Sequence, residues 1–294
     1  MAREIEKTVN FGPNPEVKLR ILLACCPQSH PPTSPHPGLP YLKGFLNYAL
    51  PNTTVIQKDL NAIFYSYIFS QKELSKRAPD LTSAHDAYCA QMEEAQYRDV
   101  DVIIKNHKTL ETALTQISVH HQKAHGLNRE GIRLRGNTFT YTPEAKVHTR
   151  EGILEAVNPS NAEKNIYYSY YKEEVIPFIQ KNKFDVVCLS VFLTDQLIPS
   201  FLLASMIKEQ MPSVRVIMGG NYISRFSDVL SQDDELNKKL FRLVDVIVLN
   251  NGETPLKEVL ETISASKDSF LDLKNVNQVI YLFDNKVKDN NRKE

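Results

Sequence analysis

The chain has 294 residues with 35 basic and 35 acidic side chains, a formal net charge of zero that gives no electrostatic pull toward nucleic acid or an anionic membrane. Hydrophobic residues make up 42% and charged residues 24%, ordinary proportions for a protein with a buried core, and no apolar run approaches the ~20 residues that span a bilayer. The opening MAREIEKTVNFGPNPEVK lacks the apolar stretch of a secretory signal, and Cys25, Cys26, Cys89 and Cys188 have no disulfide-scaffold spacing, so a cytoplasmic, reduced protein is expected rather than a membrane protein, secreted scaffold or disordered tail.

Residues 19–24 (LRILLA) form the first run of apolar residues, and a proline-rich loop follows at 25–42, with six prolines. Apolar residues then recur at helical spacing over 39–50, and 53–57 (TTVIQ) reads as a weaker second strand. The stretch 61–171 does not fit a strand–helix–strand unit. Within it 62–76, 84–96 and 109–120 read as helices, 131–141 as a small hairpin, and 166–180 (IYYSYYKEEVIPFIQ) as a helix leading into the next strand. Three more apolar runs follow, at 185–192 (DVVCLSVF), 214–218 (VRVIM) and 244–249 (VDVIVL). Helical patterns separate or follow them at 198–210, stopped by Pro212, and at 255–263, opened by Pro255. Residues 279–287 read as a hairpin around Asp284-Asn285, ahead of a polar, fraying end.

Runs with neither face polar predict parallel strands covered on both sides. Their alternation with helices predicts an α/β fold, a doubly wound parallel sheet of five strands with a mainly helical insertion between the second and third. The organisation is then 1–60 as the first half of the α/β domain, 61–171 as the insertion, 172–265 as the second half, and 266–294 as a hairpin tail.

Ligands of open parallel sheets sit outside the carboxyl ends of the strands, where the strand order reverses. The informative residues are therefore those just after each strand: the stiff loop from Cys25, then Leu193-Thr194-Asp195-Gln196, Gly219-Gly220-Asn221-Tyr222 and Asn250-Asn251-Gly252-Glu253-Thr254. The glycine pair either lets a backbone approach a ligand or only makes a tight turn. No dinucleotide fingerprint and no phosphate-binding loop motif is present, which speaks against NAD and ATP. His121 and His125 have the spacing of a metal-binding helix but no acidic or cysteine partner at a recognisable distance, so a polar surface helix is expected and no metal site. Cys25 and Cys26 are either reactive thiols or small buried hydrophobes. Tyr167, Tyr168, Tyr170 and Tyr171 suggest a packed helix face with hydroxyls at water, and without interleaved basic residues they do not suggest stacking on nucleic acid.

Taken in order, ILLACCPQSHPPTSPHPGLPYLKGFL, DLNAIFY (59–65), FDVVCLSVFLTDQLIPSFLLASMIKEQMPSVRVIMGGNY and VDVIVLNNGETPLKEVLETI resemble the cobalamin-binding domain of cobalamin-dependent radical S-adenosylmethionine enzymes. The inserted helices and the tyrosine-rich approach to the third strand are most like the branch that methylates ribosomally made peptides. The resemblance covers about three quarters of the chain and rests on order and spacing more than on any one motif. It implies that Ser190, Leu193 and Thr194 face the lower side of the corrin. It also implies that the dimethylbenzimidazole tail enters beside Gly219, Gly220 and the Asn251-Gly252-Glu253 turn. Pro27, Gly38, Leu39, Tyr41, Phe192, Gln196, Asn221 and Thr254 complete the implied cofactor contacts.

Two departures qualify it. No cysteine here has the Cys-x-x-x-Cys-x-x-Cys spacing that holds an iron–sulfur cluster, so the cluster and S-adenosylmethionine belong to a missing domain or a partner subunit. The Asp-x-His-x-x-Gly signature that gives cobalt a histidine is also absent. The implied function is thus a methyl-carrying domain or subunit serving a radical methyltransferase, incomplete as an enzyme on its own, with a peptide as a possible substrate. Two alternatives from other classes are a cofactor-free relative that binds a peptide or partner protein, suggested by the bulk of Asn221-Tyr222, and an enzyme using Cys25 or Cys26 as nucleophile.

Overall fold

Side chains alternate across the main sheet with a period of two. The computed structural model describes residues 13–28, 37–93, 100–127, 131–135, 138–142, 149–265 and 273–290. Most of the proline-rich loop, the end of the expected 84–96 helix, the tip of the small hairpin and the last four residues lie outside them. The strands are β1 (Arg20–Cys25), β2 (Thr54–Asp59), β3 (Gly131–Arg135), β4 (Thr138–Thr142), β5 (Val186–Ser190), β6 (Arg215–Gly219), β7 (Val246–Val248), β8 (Val279–Phe283) and β9 (Lys286–Asp289). In β1, Ile21, Leu23 and Cys25 join one buried cluster while Leu22 and Ala24 join another on the opposite face. Val186 and Cys188 of β5 divide from Val187 and Leu189 in the same way. This two-sided burial is why the strands read as unbroken apolar runs.

The order is β2-β1-β5-β6-β7-β8-β9, with β3 and β4 forming a separate hairpin. The sheet therefore has seven strands, not the five expected. β2, β1, β5, β6 and β7 run parallel, and the expected tail hairpin adds β8 and β9 antiparallel at the β7 edge. The physical reason is that β7 has only three paired residues and would leave a bare edge. Val279, Ile280 and Tyr281 cover it and are themselves buried. The turn is Asp284-Asn285, both with positive φ, as a two-residue hairpin loop requires.

Helices Gly38–Ala49 and Glu253–Ala265 cover one face. Leu60–Ile68 and Leu197–Gln210 cover the other. The expected 62–76 helix is split after Ile68, where Ser70 accepts a hydrogen bond from the amide of Glu73 and starts a second helix, Gln71–Arg77. The insertion is part of the main core: Leu74, Ala84, Leu114 and Ile117 share a buried cluster with Leu22, Val187 and Met218 of the sheet.

Two expectations within the insertion are corrected. His121 is not on a polar surface; it is buried on the helix Val100–His125, with Nε2 2.8 Å from the carbonyl of Lys164. Tyr167, Tyr170 and Tyr171 are fully buried rather than reaching water, and Tyr170 donates to the carbonyl of Leu60 at 3.1 Å. A π-helical turn, Tyr171–Val175, precedes Ile176–Asn182. Pro177 cannot donate back to the preceding turn, which winds wider there. Among the described residues no helix is long and apolar enough to cross a membrane.

Candidate functional site

Four strands end around one slot. Leu23 of β1, Cys188 and Ser190 of β5, Ile217 and Gly219 of β6 and Val248 of β7 form its floor. The first turns of two helices close its sides, Gly38, Leu39, Tyr41 and Leu42 from one and Gly252, Glu253 and Leu256 from the other. Its volume is about 230 Å³. Apart from Glu253, the described side chains that line it are apolar, small or uncharged. Burial pushes the Cys188 thiol up to about 12, so it is a neutral, apolar wall.

Sequence-chosen residues divide at this point. Gly38, Leu39, Tyr41, Ser190, Gly219, Gly220, Gly252 and Glu253 come together in the slot. Pro27, Phe192, Leu193, Thr194, Gln196, Asn221, Asn251 and Thr254 are not among its walls. Leu193 stands exposed after β5. Leu23, Leu42, Ile217, Val248 and Leu256 were not anticipated, because inside a strand or helix they look like any core residue.

Gln196 is wholly buried and its amide is committed within the protein. Nε2 donates to the carbonyl of Cys26 at 2.9 Å, and Oε1 accepts from the amides of Phe192 and Leu193 at 2.9 and 3.2 Å. It ties the end of β1 to the end of β5, where the strand order reverses. Asn61 and Gln28 add a second tie: Asn61 Oδ1 accepts from the amide of Gln28 at 3.0 Å, and Gln28 Nε2 donates to the carbonyl of Asp195 at 3.3 Å. These residues hold the rim in shape rather than facing a ligand.

The two glycines do different work. Gly220 has a φ of +120°, and a Cβ there would run into the backbone of Val191. Gly219 is tighter than usual against the Val248 carbonyl, 3.3 Å from where its Cβ would lie. The turn they make sends Tyr222 away from the slot, onto Phe226 with ring centroids 5.0 Å apart. The bulk expected after the glycines therefore does not plug the space. Ser224 holds the rim from behind, donating to the Gly220 carbonyl at 3.0 Å and accepting from the Asn250 amide at 2.9 Å.

Neither thiol at the end of β1 is set up as a nucleophile. Cys25 and Cys26 are buried, and desolvation pushes Cys26 up to about 11 although the hydroxyls of Ser200 and Tyr171 beside it pull the other way. Among the described residues no group of three histidines, cysteines or carboxylates is placed to hold a metal ion. No protein-family model matches the chain, and no curated protein matches it.

Proposed function

We propose that the chain is a cobalamin-binding unit supporting methyl transfer by a radical S-adenosylmethionine domain or partner subunit, with a peptide as methyl acceptor. The observation that carries this reading is the slot: an apolar, glycine-edged cavity under the carboxyl ends of β1, β5, β6 and β7. The parallel strands run in the order 2-1-3-4-5, the flavodoxin-like form of the doubly wound sheet, which binds its ligands at this place.

Size and chemistry suit one part of the cofactor. A dry cavity of about 150 Å³ takes benzene; one of about 230 Å³ suits a fused two-ring base such as dimethylbenzimidazole and not the corrin itself. The tail would be held by Leu23, Leu39, Ile217, Val248 and Leu256, with the Gly219-Gly220 backbone against it. Backbone amides at the starts of the two flanking helices suit the phosphate that links tail to ring. Bound cobalamin supplies the methyl carrier, while this chain fixes its orientation and access. Without an Asp-x-His-x-x-Gly signature no histidine ligand to cobalt is expected.

The test is anaerobic incubation with hydroxocobalamin, desalting, and a visible spectrum. Retention near one corrinoid per chain is expected; absence of retained absorbance overturns the assignment. The second reading, a cofactor-free module for a peptide or partner protein, draws on Tyr41 at the slot and Leu193 in the loop after β5, which are 68% and 42% exposed. It predicts peptide binding with no corrinoid retained.

A further inference from the structure

A second cavity, also of about 230 Å³, lies on the opposite face of the sheet. Ile153 from helix Arg150–Val157, Leu197 and Phe201 from Leu197–Gln210, and Ile223, Phe226 and Leu230 from the segment after Gly220 form its wall. Among the described residues none lines both cavities. Protein interiors are packed with few voids larger than water, and a void edged by large apolar side chains forfeits dispersion contacts on each of them. An apolar group of suitable size restores those contacts. A benzene-sized cavity of about 150 Å³ binds its ligand in this way.

The mouth sets the polarity of the ligand. Val229 stands at the lip, 38% exposed. Two charged side chains share that edge, Arg150 and Glu151. Arg150 is already neutralised: its Nη1 donates to Asp234 at 2.6 Å. Asp234 is fixed in turn, accepting the amide of Asn237 at 2.9 Å as the cap of helix Glu235–Leu240. Among the described residues, that leaves the exposed carboxylate of Glu151 as the lining charge with no ion pair. A cation is favoured there and an anion disfavoured.

We propose that this cavity is a binding site for a small hydrophobic amine, its aromatic or branched alkyl group among Ile153, Phe201, Ile223 and Phe226 and its ammonium on the carboxylate of Glu151. The site is separate from the corrinoid slot and stands whether or not that assignment holds.

Binding of 2-phenylethylamine, 2-phenylethanol and 3-phenylpropionate to the corrinoid-free full chain, followed by ligand-observed NMR and calorimetry, tests it. The amine binds tightest. The alcohol is weaker by up to ~5-fold, the value of one exposed ion pair, and the acid is weakest. Glu151→Gln brings the amine to the level of the alcohol. Val229→Trp fills the lip from the solvent side and abolishes binding of all three, with an unchanged melting temperature as the folding control. No binding of the amine at ~10 mM, the range for so few heavy atoms, overturns the proposal. So does an acid that binds as well as the amine, or a Val229→Trp chain, still folded, that binds as before.

Discussion

Gly220 is the residue on which the shape of the slot most depends. Its positive φ and the Val191 backbone against it admit no side chain, so Gly220→Ala is expected to cost about 3 kcal/mol or more, measured by urea unfolding, and to reduce any corrinoid retention with it. A fully stable Gly220→Ala chain would mean that the turn relaxes freely. Cysteine reactivity is a second test at this scale. Cys89 is exposed, whereas Cys25, Cys26 and Cys188 are buried, with Cys26 and Cys188 pushed up to about 11 and 12 by desolvation. Iodoacetamide at neutral pH should label Cys89 alone in the folded chain, as read by peptide mass spectrometry. Labelling of Cys26 as fast as Cys89 would revive the nucleophile reading. Gln196 illustrates what a sequence hides at this scale: an amide just after a strand looks the same whether it faces a ligand or, as here, bridges Cys26 to Phe192 and Leu193.

The elements were more legible than their partners. β1, β5 and β6 stand out because both faces are buried, which removes polar alternation from the sequence. The Asp284-Asn285 hairpin is equally plain, since its turn chemistry is local. That the hairpin completes the main sheet was not readable, because pairing of β8 with β7 joins residues about thirty apart and leaves no local mark. The tyrosine-rich segment misled for a different reason: a tyrosine hydroxyl reads as a group that stays at water, whereas here the rings are buried and Tyr170 satisfies its hydroxyl on the distant Leu60 carbonyl. The hairpin's weight can be measured. Removing residues 273–290 deletes the buried side chains Leu273, Val276, Val279, Ile280 and Tyr281, each worth about 1.5–3 kcal/mol of burial, which together rival a typical net stability of about 5–15 kcal/mol. The shortened chain is expected to lose its cooperative melting transition by circular dichroism. Retention of that transition would show the hairpin to be an accessory.

In the whole molecule, two arrangements keep the carboxyl end of the sheet open. At the opposite end, Asp185 accepts from the Arg20 amide at 2.7 Å and Asp245 pairs with Arg215 at 3.0 Å, fastening the strand starts. At the rim, Gln196, Asn61 and Ser224 fasten the loops to one another, and among the described residues no side chain fills the slot between the two flanking helices. That a cleft would open at the loops after the strands was identifiable from the order of elements alone. The slot's walls were not, since Leu23, Ile217, Val248 and Leu256 differ from ordinary core residues only in bordering empty space. The central claim is that this space receives the base of a corrinoid nucleotide tail. The most direct measurement compares retention of hydroxocobalamin with that of cobinamide, which has the same ring and no base, on the same preparation after desalting. Cobalamin held near one per chain with cobinamide washed away is the predicted result; equal retention of the two, or of neither, contradicts it.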